Sequence, residues 1–224
     1  MSRCCSFRGL FWGLAVFGVA ADQISKYRVF RWLYNDGRGD EHEVIPGVFR
    51  LCANFLKDRE TGLPVRETGT GFFANLRTWG GDVLPQVNQG ALFGLFNDHR
   101  EAANAVFAAI SVLAALAILY WGTRGAVKGD GVLTVALGLI LAGTLGNLYD
   151  RVVFGGVRDF LHFYYINWPV FNVADCCLVC GACLLLLQAF ATQPAKEKPN
   201  AESSVDAVSA PRSRSAELSA VPKM

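Results

Sequence analysis

Three stretches of this 224-residue chain, Ala102 to Trp121, Gly131 to Tyr149 and Val170 to Phe190, are almost wholly apolar, and each is about 20 residues long, enough to cross a bilayer. Inside a membrane every backbone amide must find its partner within the chain, so such stretches fold as helices. A fourth apolar block starts at Gly9, is interrupted by Asp22-Gln-Ile-Ser-Lys26, and resumes with Tyr27, Val29, Phe30, Trp32, Leu33 and Tyr34. Joined, its two pieces make a helix of roughly 20–25 residues. The basic start at Arg3 and Arg8, the apolar middle and the small Ala20 and Ala21 also fit a cleaved signal peptide. The renewed apolar character after Lys26 weighs against that. The fold class expected is an all-α membrane protein with four transmembrane helices and a small external cap.

Residues 35–87 form the polar remainder, rich in glycine. Pro46-Gly47, Thr61-Gly-Leu-Pro64 and Trp79-Gly-Gly-Asp82 read as turns or loops. Strand-like pieces are expected around Val44–Leu51 and Gly71–Leu76, giving the cap β structure. The domain reading is a polytopic membrane domain over residues 1–192. Residues 193–224, rich in Ala, Ser, Pro and charge, follow as a disordered cytoplasmic tail. With four spans, Arg3 and Arg8, Arg124 and Lys128, and Lys196 and Lys198 fall on one side, which the positive-inside rule makes cytoplasmic. Both termini then lie in the cytoplasm, and the cap lies outside. A formal net charge of +2 gives no reason to expect a nucleic-acid partner, and seven cysteines, mostly in apolar segments, do not suggest a disulfide framework.

Between the third and fourth spans, residues 143–175 gather Asn147, Asp150, Arg151, Asp159, Asn172 and Asp175. Ionisable groups at membrane depth are costly and mark function by default. Asp159, in the loop after the third span, and Asp175, in the first turns of the fourth, lie at similar depth near the outer face. Two adjacent carboxylates resist double ionisation and share a proton. The ionised one can activate water while the protonated one polarises a scissile carbonyl, which is the chemistry of an intramembrane aspartyl protease. Asp150 competes for that role, although an ion pair with its neighbour Arg151 or a helix-end anchor accounts for it structurally. Asn147 shares a helix face with Arg151, suited to a substrate carbonyl or a lipid phosphate, or simply to polar contacts between helices. Asn172 can orient Asp175 or cap its helix. Asn88 can bind a substrate backbone or cap a loop, and Gly90 and Gly94 permit close backbone approach. Asp22 and Lys26, four apart, suit a support pair near a helix end, with the lysine snorkelling to the headgroups.

No metal ligand set is apparent: His42, His99 and His162 are dispersed. Cys176, Cys180 and Cys183 repeat at helical spacing, which suits soft packing residues better than a metal or redox site. No cofactor is expected.

In order along the chain stand Asp22-Gln-Ile-Ser-Lys26, Val44-Ile-Pro-Gly47, Asn88-Gln-Gly-Ala-Leu-Phe-Gly94, Gly143-Thr-Leu-Gly-Asn-Leu-Tyr-Asp-Arg151, Val157-Arg-Asp-Phe160 and Phe171-Asn-Val-Ala-Asp175. Six motifs in this order, the last three closely spaced, resemble the bacterial lipoprotein signal peptidases (signal peptidase II). The resemblance implies four transmembrane helices in the inner membrane, cytoplasmic termini, an external β-cradle and an active site near the external face. It implies cleavage of lipid-modified prolipoproteins just before the diacylglyceryl cysteine. Asp159 and Asp175 match the catalytic pair, and Asn88, Gly90, Asn147, Arg151 and Asn172 the polar site lining. Asp22 and Lys26 match a support pair, and Asp150 an aspartate outside the dyad. The partners implied are prolipoproteins, membrane lipids and globomycin-type inhibitors, with the enzyme a monomer.

Three departures bear on the substrate entrance. The segment between Leu51 and Val87 exceeds the family's usual connection by about thirty residues, so an insertion over about 52–87 is expected. Leu92 stands where a second small residue is usual, and Ala142 where the first glycine of a pair is usual. A small proton-coupled membrane transporter is the alternative function, with the carboxylates as relays. It requires ionisable groups spread through the bilayer, whereas here they cluster toward one face. A scaffold without catalysis would tolerate neutral replacement of Asp159 or Asp175.

Overall fold

The computed structural model describes residues 7–78, 81–90, 100–123 and 129–191. Five helices and three strands follow one another as α1 (Arg8–Trp32), β1 (Asp40–Ile45), β2 (Phe49–Ala53), α2 (Phe72–Thr78), α3 (Arg100–Thr123), α4 (Gly131–Phe154), β3 (Leu161–Phe163) and α5 (Val173–Ala191). Among the described residues α3, α4 and α5 are the helices long and apolar enough to cross a membrane. The first apolar block forms one continuous 25-residue helix, but Arg8, Asp22, Lys26, Arg28 and Arg31 lower its hydropathy. The expected tail and the basic residues Arg3, Arg124, Lys128, Lys196 and Lys198 lie outside the described residues, as do Leu92 and Gly94.

Helix α4 is the hub, packing against α1, α3 and α5. The side chain of Asp130 caps its start by accepting from the Leu133 amide at 2.9 Å, and Gly155 ends it in the left-handed conformation, φ 72°. On one side Phe11, Ala15, Ala115, Ile118, Leu137 and Leu141 form the apolar core of α1, α3 and α4. On the other, small residues bring backbones together: a Cβ on Gly143 would lie 2.3 Å from the carbonyl oxygen of Ala174. The departure at Ala142 is absorbed across the α1 interface. That residue is fully buried, and a Cβ added to Gly18 would lie 2.5 Å from the Ala142 Cβ.

The three strands make an antiparallel sheet in the order β1-β2-β3, with Gly47 (φ 77°) in the predicted Pro46-Gly47 turn. Strand β2 pairs Phe49 with Phe163 and Leu51 with Leu161. The inserted segment is folded. Bridges join Phe55 to Pro85, Lys57 to Pro64 and Arg66 to Val83. Val83 and Phe55 are buried with Phe30 of α1, with Leu33 just past its end and with Phe160. The strand expected around Gly71–Leu76 is instead the helix α2. The flanking extended pieces already pair with each other, with Glu67 N–H donating to the Asp82 carbonyl at 2.8 Å. The intervening loop has no free strand edge beside it and satisfies its amides locally.

The span boundaries also shift. Helix α4, the third expected span, runs on to Phe154, so Asn147–Arg151 lies within it rather than at its end. Helix α5, the fourth expected span, begins at Val173 rather than Val170, because Phe171 is drawn into pairing with Leu161.

Candidate active site

Backbone register assembles the site. The Phe160 and Leu161 amides both donate to the Phe171 carbonyl, at 3.0 and 2.9 Å, which sets Asp159 beside Asn172. Asn88 and Val157 exchange both backbone hydrogen bonds at 2.8 Å, which fixes Asn88 two residues from Asp159. The Asn88 side chain donates from Nδ2 to Asp159 Oδ2 at 3.1 Å and accepts from the Gly90 amide at 2.9 Å. It therefore both shapes its loop and contacts the carboxylate.

Asn172 joins the two candidate aspartates. Its Nδ2 donates to Asp159 Oδ1 at 2.7 Å, and its backbone amide donates to Asp175 Oδ2 at 3.1 Å. Its Oδ1 in turn accepts from the Asp175 amide at 3.1 Å. This reciprocal arrangement is a capping box, here Asn-Val-Ala-Asp, so the cap of α5 is also the mount of Asp175. The other Asp175 oxygen accepts from Asn147 Nδ2 at 2.8 Å. Asp159 and Asp175 are both partly exposed, and a cleft of ≈ 250 Å³ opens on Asp159 between Asn54, Gln86–Asn88 and Pro169–Val170. Burial pushes the Asp159 carboxyl up to about 6, against the opposing hydrogen bonds from Asn172 and Asn88, with the negative charge of Asp175 adding to the rise.

Behind this pair lies a fully buried group of charges. Lys26 does not snorkel. Its ammonium donates to Asp22 Oδ2 at 2.8 Å and to Asn147 Oδ1 at 3.3 Å, and pairs with Asp150 Oδ2 at 3.3 Å. Asp22 Oδ1 accepts from the Ala174 amide at 2.9 Å, so a carboxylate from α1 sits at the N-terminus of α5. Asp150 pairs with Arg158 rather than with its neighbour Arg151. The Arg158 backbone amide and Nη2 both donate to it at 2.9 Å. Arg158 Nη2 also donates to Gln23 Oε1 at 2.9 Å, and its guanidinium lies 3.9 Å from the Phe154 ring centroid and 4.2 Å from that of Tyr27. Two acids and two bases thus balance inside the protein, and Asn147 passes contact from Lys26 to Asp175.

Arg151 stands apart from this group. It faces Asn104 Oδ1 at 3.4 Å and the Phe107 ring at 5.0 Å, while Asn104 Nδ2 donates back to its carbonyl at 3.2 Å. Gly90, φ 86°, abuts the same Phe107: a Cβ there would lie 2.5 Å from Cε2. Sequence reasoning missed Arg158, Gln23 and Asn104. The available signal was Asp150 itself, a buried acid that needs more positive charge than Lys26 supplies once Asp22 is counted. Cys176, Cys180 and Cys183 are exposed on the surface of α5.

Residues 82–191 match the family described as signal peptidase (SPase) II. A lipoprotein signal peptidase of Rhodopirellula baltica is 36% identical over 195 residues, covering 81% of this chain and 71% of that one. Another, from Solibacter usitatus, is 32% identical over 179 residues, covering 76% and 87%. A solved bacterial membrane enzyme superposes with a TM-score of 0.60 over 86% of this chain and 100% of its own, at 24% identity, a likeness of fold. Identity at this level, sustained over more than two thirds of both chains, makes this protein a member of the signal peptidase II family.

Proposed function

We propose that the chain is an aspartyl endopeptidase of the bacterial inner membrane that removes signal peptides from diacylglyceryl-modified prolipoproteins, cutting before the lipidated cysteine. One observation carries this reading. Asp159 and Asp175 are accessible and share Asn172 as a ligand, whereas Asp22 and Asp150 are fully buried and saturated with partners. Asp150 cannot reach water and serves as support. The transporter alternative finds no support in the family.

In the proposed mechanism Asp159 holds the shared proton, for which its raised affinity suits it, and polarises the scissile carbonyl. Asp175 is the general base that takes a proton from the attacking water. Asn88, Asn147 and Asn172 hold the carboxylates, Gly90 allows close approach of the substrate backbone, and Arg151 lines the entrance. Lys26, Asp22 and Asp150 lock α1, α4 and α5 in register beneath them. No cofactor takes part. The spanning arrangement proposed is α1 with α3, α4 and α5, both termini cytoplasmic and the sheet outside. The buried placement of Asp22 and Lys26 removes them from lipid and supports α1 as the fourth span. The enzyme acts as a monomer within the lipid bilayer, and a globomycin-type cyclic peptide is expected to block the cleft.

The test is cleavage of a diacylglyceryl-modified prolipoprotein by purified protein in detergent, with a chelator present. Asp159→Asn and Asp175→Asn should each lose about 10²–10⁴-fold in rate while remaining folded. Activity surviving in either folded variant removes that residue from the mechanism.

A further inference from the structure

The inserted segment carries a helix whose exposed face is aromatic. Phe72 and Phe73 of α2 are 72% and 49% exposed, with ring centroids 5.6 Å apart, while Ala74 is buried beneath them. Hydrogen bonds fix how deep this helix lies. The Leu76 carbonyl accepts from the Tyr27 hydroxyl at 3.2 Å, and that hydroxyl lies 2.9 Å from the hydroxyl of Tyr149. Tyr149 stands five residues before the end of the spanning helix α4, about 7.5 Å along its axis. Helical side chains lean toward the N-terminus, so the Tyr149 hydroxyl lies no nearer the end of α4 than Tyr149 itself. Phe72 and Phe73 are at most four residues from Leu76, about 6 Å along α2. At its Leu76 end α2 therefore lies beside the last turns of the spanning helix.

The surroundings match that depth. Val152 on α4 and Ile24 and Trp32 on α1 are likewise exposed apolar residues. The one charged residue of α2, Arg77, reaches toward the end of α4. Its Nη1 donates to the Val153 carbonyl at 3.1 Å, and Nε pairs with Glu67. A cationic stem turned toward the headgroups is how arginine behaves at an interface.

We infer that α2 is an interfacial helix that inserts Phe72 and Phe73 into the leaflet at the C-terminal end of α4, at the boundary between acyl chains and headgroups. The occupant of the exposed aromatic face is phospholipid. The helix also tethers the sheet side of the molecule to the bilayer, because α2 leads directly into the segment that ends at Asn88 beside the Asp159 cleft. This inference rests on membrane insertion of α4 and is independent of which aspartates are catalytic.

The test places photoreactive p-benzoylphenylalanine at position 72, and separately at 73, in the full chain. The protein is held in nanodiscs of phosphatidylethanolamine and phosphatidylglycerol and irradiated, and adducts are read by mass spectrometry. Positions 113 on α3 and 60 in the exposed loop serve as lipid and water references. Lipid adducts at 72 and 73 should match those at 113 and exceed those at 60 by about tenfold. Adducts joining two copies would make the face a protein interface. Adducts only with added prolipoprotein would make it a substrate groove. Yields no greater than at position 60 would place it in water. Each of these three outcomes overturns the inference.

Discussion

Asp159 keeps its proton up to about pH 6 because a partly buried carboxylate loses hydration that two amide donors only partly replace. Two consequences follow at this scale. In the free enzyme kcat/KM should fall about tenfold per pH unit above pH about 6, as the shared proton is lost. The fold should show the opposite side of the same linkage. The native state binds this proton more tightly than the unfolded chain, so the group's contribution to stability falls as pH rises from about 4 through 6. Asp159→Asn should flatten that part of the stability curve, measured by thermal unfolding at stepped pH, while abolishing cleavage. The residue after which Asp159 follows is equally constrained. Arg158→Lys keeps a charge but loses the fork that grips Asp150 and Gln23. Its expected signature is a fall of roughly 10- to 100-fold in kcat with KM little changed. At this scale the sequence made Asp159 and Asp175 legible as candidates, since carboxylates beside apolar spans are conspicuous, although it left Asp150 beside them as a rival. Arg158 was not, because an arginine in a glycine-bounded loop looks solvated until the loop folds back onto Asp150.

The elements meet through small residues, and their errors of prediction share a cause. The long apolar helices α3, α4 and α5 were readable from hydropathy alone, but their ends were not. Helix α4 continues through Asn147–Arg151 because those polar groups find partners on α1, α5 and the following loop, where an isolated helix would have frayed. The strand expected at Gly71–Leu76 failed because pairing partners are decided by the whole hairpin and not by local apolar content. The Gly18–Ala142 contact allows a quantitative check. Gly18→Ala should destabilise the protein by about 1–3 kcal/mol through overpacking, and pairing it with Ala142→Gly should recover much of that loss. Thermal unfolding of the two single variants and the double variant in detergent would measure the coupling.

For the whole molecule, the neutral set of Asp22, Lys26, Asp150 and Arg158 ties three helices to the loop that bears Asp159. Replacing such a set with apolar groups can be harmless, but removing one member leaves a buried charge unmatched. Lys26→Met should therefore cost about 3–5 kcal/mol. Activity and cooperative unfolding should be lost together, whereas Asp175→Asn should spare the fold. The backbone pairing of the insertion has a separate effect on how this protein can vary. Arg66 and Val83 face each other across a closed bridge, and Gln86 donates to the Asn54 carbonyl at 2.9 Å. The chain leaves and re-enters the rest of the fold at these paired points. Lengthening the turn between Lys57 and Pro64, which lies outside α2 and its contacts, costs loop entropy of about 0.6 kcal/mol per doubling and leaves Asn88 where it is. The excursion is in effect a socket: foreign sequence, a reporter domain or a docking peptide, can be spliced into its turns without disturbing the scissile geometry a few residues away.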